Sequence, residues 1–136
     1  MKNKKAVIWV DGAARGNPGP ASIAAIIKGE DGEILARISQ RIGITTNNQA
    51  EYQALIAALE KAISLGIRHV YVNSDSELMV KQLNGKYRVK NAHLKPLYQK
   101  VIQLQSSLET FTIRHIPREQ NREADKLANK AFDTPD

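Results

Sequence analysis

Four acidic residues in this sequence have the types and settings to do chemistry together. Asp11 follows the apolar run "AVIWV" and precedes Gly12. Glu51 lies in "NNQAEY", Asp75 in "NSDSEL" and Asp125 in "NREADKLA". Carboxylates gathered by a fold repel one another unless a cation joins them, and hard divalent ions such as Mg²⁺ prefer oxygen ligands. The chain has no cysteine, which removes disulfides, a thiol nucleophile and thiolate-held zinc. His69, His93 and His115 are far apart and form no zinc-type spacing. Metal chemistry on carboxylates is therefore the chemistry to test.

A plainer reading competes with it. "NQAE" from Asn48 to Glu51 and "SDSE" from Ser74 to Glu77 both match capping boxes. Glu51 and Asp125 are each expected in the first turn of a helix, where the macrodipole favours negative charge. Taken singly, those two read better as helix-start acids than as ligands. Asp11 is harder to dismiss, because a carboxylate ending a hydrophobic strand is desolvated and needs a partner.

The elements that must position these acids follow from periodicity. "KKAVIWVD" predicts a buried strand ending at Asp11. "ASIAAIIKG" and "GEILARISQRIG" predict two more, with a tight turn at Asp31–Gly32. Leu55, Leu59, Ala62 and Ile63 recur at helical spacing between Asn48 and Leu65, and Gly66 suits a C-cap. "RHVYVNS" is a fourth strand, and "DSELMVKQL" a helix stopped at Asn84–Gly85. After the basic connection "KYRVKNAH", "LKPLYQKVIQLQSSL" is a helix with Pro96 tolerated in its first turn. "TFTIRHI" is a fifth strand and "NREADKLANKAF" a last helix. This order implies one α/β layered domain over residues 1–136, with an antiparallel meander first and strands one, four and five parallel. Sites in such sheets form beyond the carboxyl ends of parallel strands, so Asp11 and Asp75 should emerge on the same edge.

The net charge of +6 suits a polyanionic partner, although many basic proteins bind no nucleic acid. Aromatic residues make up only 5%, which argues against a single-strand binder built on stacked bases. The apolar run Ala6–Val10 is too short for a signal-peptide core, and no later segment is long and apolar enough for a bilayer, so a cytoplasmic protein is expected.

"VDGAARGNPGP", "TTNNQAEY", "NSDSELMV" and "NREADKLA" resemble the four motif blocks of the type 1 ribonuclease H family, in the family's order. They run from about Val10 to Ala128. The resemblance implies a mixed five-stranded sheet of order 3-2-1-4-5 flanked by helices. It matches Asp11, Glu51, Asp75 and Asp125 to the family's catalytic carboxylates, which hold two Mg²⁺ or Mn²⁺ ions. The implied activity is endonucleolytic hydrolysis of the RNA strand of an RNA–DNA hybrid, leaving 5′-phosphate and 3′-hydroxyl ends. An RNA–RNA duplex stays open as a further substrate, and a monomer is expected.

Telling RNA from DNA requires groups that sense the 2′-hydroxyl across a shallow minor groove. Asn17, Thr46, Asn47 and Asn48 match family positions that contact substrate, and Gly12 and Gln49 stand beside the acids. Turn chemistry is the competing account: "NPGP" turns whatever its function, and Asn48 is a good N-cap. For Asn17 both accounts stand. Lys86 and Arg88, with Lys90 and Lys95, are expected either to hold phosphates or to form a solvated linker. Two departures from the family pattern stand out. The basic region is short, and the loop "PREQ" lacks the family's histidine. His115 reads as a half-buried strand residue and not a replacement, which leaves Arg118 and Glu119. Arginine stays protonated, so Arg118 is expected to act on phosphate by electrostatics. Among rivals, a phosphatase using Asp11 as nucleophile lacks a second aspartate in "DGA", and an ATPase on a related core needs a second lobe. A non-catalytic hybrid binder has little reason to keep four acids together.

Overall fold

A computed structural model of the chain describes residues 4–133. The elements are β1 (Lys4–Ala14), β2 (Gly19–Gly29), β3 (Ile34–Thr45), α1 (Asn47–Ser64), β4 (Ile67–Ser74), α2 (Glu77–Leu83), α3 (Lys95–Gln105), β5 (Thr110–His115) and α4 (Arg122–Asp133). They form a mixed sheet of order β3-β2-β1-β4-β5, with the first three strands antiparallel and β1, β4 and β5 parallel. That is the expected architecture.

Strand alternation sends Ala6, Ile8 and Val10 of β1, with Val70 and Val72 of β4, into the core beneath α1. α1 meets them with Ala54, Leu55, Ala58, Leu59 and Ala62, all buried. The alanines let the helix lie close to the sheet, while the leucines fill the space between. Gly66 follows the helix with φ +79°, the left-handed conformation that ends α1 at little steric cost. α4 packs on β1, β2 and β3 and buries only Ala124, Ala128 and Ala131. Two hydroxyls hold it in place: Ser22 Oγ donates to the Ala128 carbonyl and Ser39 Oγ to the Leu127 carbonyl, each at 2.6 Å. Among the described residues, no helix is long and apolar enough to cross a membrane.

Three local expectations are corrected. Asp11 does not end β1, which runs on to Ala14 because residues 11–14 keep pairing with β2. Only the parallel ladder to β4 stops at Val10, opposite Ser74. The α1 cap is Thr46 and not Asn48: Thr46 Oγ1 accepts from Gln49 N at 3.1 Å, and Gln49 Oε1 accepts from Thr46 N at 3.1 Å. Glu51 therefore lies past the first turn, outside any capping box. The α2 cap is Ser76 and not Ser74, so Asp75 falls between β4 and α2.

Candidate active site

The end of the β1–β4 ladder fixes the position of the acids. Asp11 is the first β1 residue beyond the ladder, and Asp75 is the first residue after β4. α1 brings Glu51 over them from one face of the sheet, and α4 brings Asp125 from the other. One oxygen from each of Asp11, Glu51 and Asp75 falls within 4.8 Å of the others. Asp125 lines the same cavity of about 160 Å³, together with Gly12, Ala13, Asn47 and Arg118.

Burial is unusual for charged groups. Asp11 is 4% exposed and Glu51 5%. Glu51 Oε1 accepts the backbone N–H of Gly12 at 2.8 Å. Asp11 Oδ2 is buried with no hydrogen-bond partner among the described residues. Burial, and then the charges of Asp75 and Asp125, push the Asp11 carboxyl up to about 8. Burial and the charges of Asp11 and Asp75 likewise raise Glu51 well above the carboxylate range. Asp75 is raised by burial, while the Asn121 amide and Arg118 pull it back. Such a cluster is frustrated as it stands, and a divalent cation is the simplest partner that relieves it. The donor set is all oxygen, and Asp11 carries a buried oxygen with no partner among the described residues, so the residues fit hard divalent ions.

Arg118 reaches the cavity from a short 3₁₀ turn, Arg118–Gln120, that the sequence did not predict. Its Nη2 lies 3.5 Å from Asp125 Oδ1, and its side chain is 77% exposed. Glu119 instead lines a separate cavity with Trp9 and Lys28. His115 is exposed, where the sequence suggested a half-buried residue, and it lies outside the lining of the carboxylate cavity.

The expected contact residues divide into four groups. Asn17 Oδ1 accepts the N–H of Asn47 at 3.0 Å, and Asn47 Oδ1 accepts that of Ala14 at 3.3 Å, so both asparagines brace the loops around the cavity. Gln49 and Thr46 are engaged in the α1 cap, and Gly12 gives its N–H to Glu51. Asn48 is exposed on the first turn of α1. Neither Lys86 nor Arg88 is in the lining of the carboxylate cavity, and Arg88 lines a cavity of about 480 Å³ with Tyr87, Tyr98, Lys95 and Gln99. Sequence reasoning missed Asn121, which is 1% exposed and donates to the Val10 carbonyl at 2.8 Å. Its place ahead of α4 was a visible signal, but one that pointed to capping.

Residues 9–131 match the family model described as "Reverse transcriptase-like". The chain is 42% identical over 125 residues to the protein named "Ribonuclease HI" of Halobacterium salinarum, covering 92% of this chain and 63% of that one. It is 43% identical over 130 residues to "Bifunctional protein Rv2228c" of Mycobacterium tuberculosis, covering 95% of this chain but 36% of the relative. The chain thus spans less than two thirds of either relative. The crystal structure of RNase H1 from H. salinarum superposes with a TM-score of 0.92 at 41% identity, covering 95% of this chain and 98% of that one. LC11-RNase H1, solved in complex with an RNA/DNA hybrid, gives 0.90 at 44%, covering 94% and 96%. Agreement in both sequence and sheet across more than nine tenths of the chain shows that it belongs to the type 1 ribonuclease H family.

Proposed function

We propose that the chain is one ribonuclease H domain that hydrolyses the RNA strand of RNA–DNA hybrids. The observation that carries this reading is the buried cluster of Asp11, Glu51 and Asp75 within 4.8 Å, with Asp125 on the same cavity. The solved complex of LC11-RNase H1 with a hybrid, 44% identical to this chain, supports the substrate class. On this reading Asp11, Glu51, Asp75 and Asp125 hold two divalent ions, Mg²⁺ or Mn²⁺. Bound there, the ions would supply an activated water and a counter-charge for the departing oxygen, giving 5′-phosphate and 3′-hydroxyl ends.

The protein's own groups prepare that chemistry. Gly12 N–H fixes one Glu51 oxygen and leaves the other for a ligand. Arg118 stands at the rim and draws on the scissile or departing phosphate. Asn17, on the β1–β2 turn, and Asn47 and Asn48, on the first turn of α1, present amides toward a sugar edge, where a 2′-hydroxyl can both donate and accept. Gly12 through its N–H, and Thr46 and Gln49 through the α1 cap, shape this edge. Lys86 and Arg88 reach for phosphates farther along the duplex.

The test uses end-labelled RNA–DNA, RNA–RNA and DNA–DNA duplexes with Mg²⁺, Mn²⁺ or EDTA. Cleavage confined to RNA within the hybrid, and abolished by EDTA, is expected. Cleavage of DNA–DNA, or of the hybrid in EDTA, contradicts the reading. The RNA–RNA arm decides whether that duplex is a second substrate.

A further inference from the structure

Asn121 occupies the position just before α4, where asparagine ordinarily caps a helix with its side-chain oxygen. Its backbone does what a cap residue does, since the Asn121 carbonyl accepts Asp125 N–H at 3.0 Å. Its side chain does not. Asn121 Oδ1 is buried and accepts nothing from the described residues. The amide is turned the other way, and Nδ2 donates to the Val10 carbonyl at 2.8 Å. Val10 is the last β1 residue paired with β4, and Asp11 comes next. Asn121, 1% exposed, thus joins α4 through its backbone to β1 through its side chain.

A buried acceptor without a partner is a cost that a merely structural position would shed, because serine or aspartate would cap α4 without it. The donor half of the amide must therefore be what the site needs. Aspartate cannot donate when ionised, and serine is too short to span the same gap. We infer that Asn121 is a positioning residue: it ties the start of α4 to β1 beside Asp11 and so sets Asp125 against Asp11 for divalent ions. This rests on the metal-dependent reading above, and its test has a readout that needs no turnover.

The experiment compares wild type, Asn121→Ser and Asn121→Leu in three measurements. These are the thermal midpoint without metal, Mn²⁺ binding without nucleic acid, and kcat and KM on a hybrid. Losing a residue that orients metal ligands typically costs roughly 10–100-fold in affinity or activity. Asn121→Ser restores a capping oxygen but leaves the buried Val10 carbonyl without its donor, so its metal-free thermal midpoint should fall modestly with the protein still folded. Its Mn²⁺ affinity and kcat should fall by about 10-fold or more, with KM nearly unchanged. Asn121→Leu should lose both in the same way. If Asn121→Leu does not fold, Asn121→Ser decides alone. Unchanged Mn²⁺ affinity and kcat in Asn121→Ser overturn the inference and leave a helix-start residue. If wild type binds Mn²⁺ but cleaves nothing, the activity reading fails while the Mn²⁺ comparison still tests Asn121.

Discussion

The backbone N–H of Gly12 donates to Glu51 Oε1 at 2.8 Å, and the same approach leaves Gly12 no room for a side chain. A Cβ there would lie 2.2 Å from the Ala50 carbonyl carbon and 2.4 Å from Glu51 N. Both obstacles are backbone in α1, which cannot rotate aside. Gly12→Ala must push α1 off β1 or break the Glu51 contact. Overpacking costs about 1–3 kcal/mol, occasionally more, and backbone obstacles put this case at the high end. Urea denaturation should show that loss, together with weaker metal binding. Wild-type stability in Gly12→Ala would mean the two elements are not in this contact.

Much of this arrangement was readable from the sequence, for stated reasons. Apolar alternation and helical spacing gave every strand and each of the four α-helices, and Asp11 and Asp75 fell on one sheet edge because β1 and β4 are parallel. What failed was local choice among equivalents. "TTNNQAE" holds two overlapping cap patterns, one from Thr46 to Gln49 and one from Asn48 to Glu51. Propensity cannot rank them. The Gly12 amide, distant in sequence, takes the Glu51 carboxylate and leaves capping to Gln49. Asn121 was obscured the same way, since its identity permits capping and only the position of Val10 turns it around.

Metal-free protein should lose stability as pH rises. Asp11 titrates near 8 in the fold against 3.8 as the ordinary value, so the folded state binds more protons between those limits. The Asp11 contribution is then fully present below about pH 4, shrinks as pH approaches 8 and levels off beyond it. Glu51 and Asp75, raised in the same direction, add to the slope. Thermal midpoints measured in EDTA across this range check it. Asp11→Asn should flatten the slope, stabilise the metal-free protein at neutral pH and abolish cleavage. A midpoint that rises from pH 4 to 8 in wild type contradicts the assignment.

Hybrid affinity should fall steeply with salt, because each phosphate neutralised releases counterions and contributes a slope of roughly −0.9 on duplex DNA. Lys86→Ala with Arg88→Ala should reduce the slope by about 1–2, measured by titration with a catalytically inert Asp11→Asn background. An unchanged slope would return "KYRVK" to a solvated linker.

Arg118 and Glu119 should separate cleanly in kinetics. Arg118 lies 3.5 Å from Asp125, whereas Glu119 lines another cavity. An enclosed donor to developing charge is worth roughly 10²–10³ in kcat, and an exposed, water-screened arginine less. Arg118→Ala should lower kcat by about 10-fold with a smaller change in KM, and Glu119→Ala should be near wild type. The reverse pattern across several pH values would favour a proton-carrying acid at Glu119.

Water, and not the neighbouring 2′-hydroxyl, should be the nucleophile if the four carboxylates are there to hold divalent ions. Cleavage of a hybrid in H₂¹⁸O with Mg²⁺, followed by mass spectrometry of the RNA fragments, reads this directly. One ¹⁸O atom on the 5′-phosphate of each downstream fragment, with 3′-hydroxyl ends upstream, is the predicted result. Unlabelled downstream fragments with 5′-hydroxyls, and 2′,3′-cyclic phosphates upstream, would contradict it.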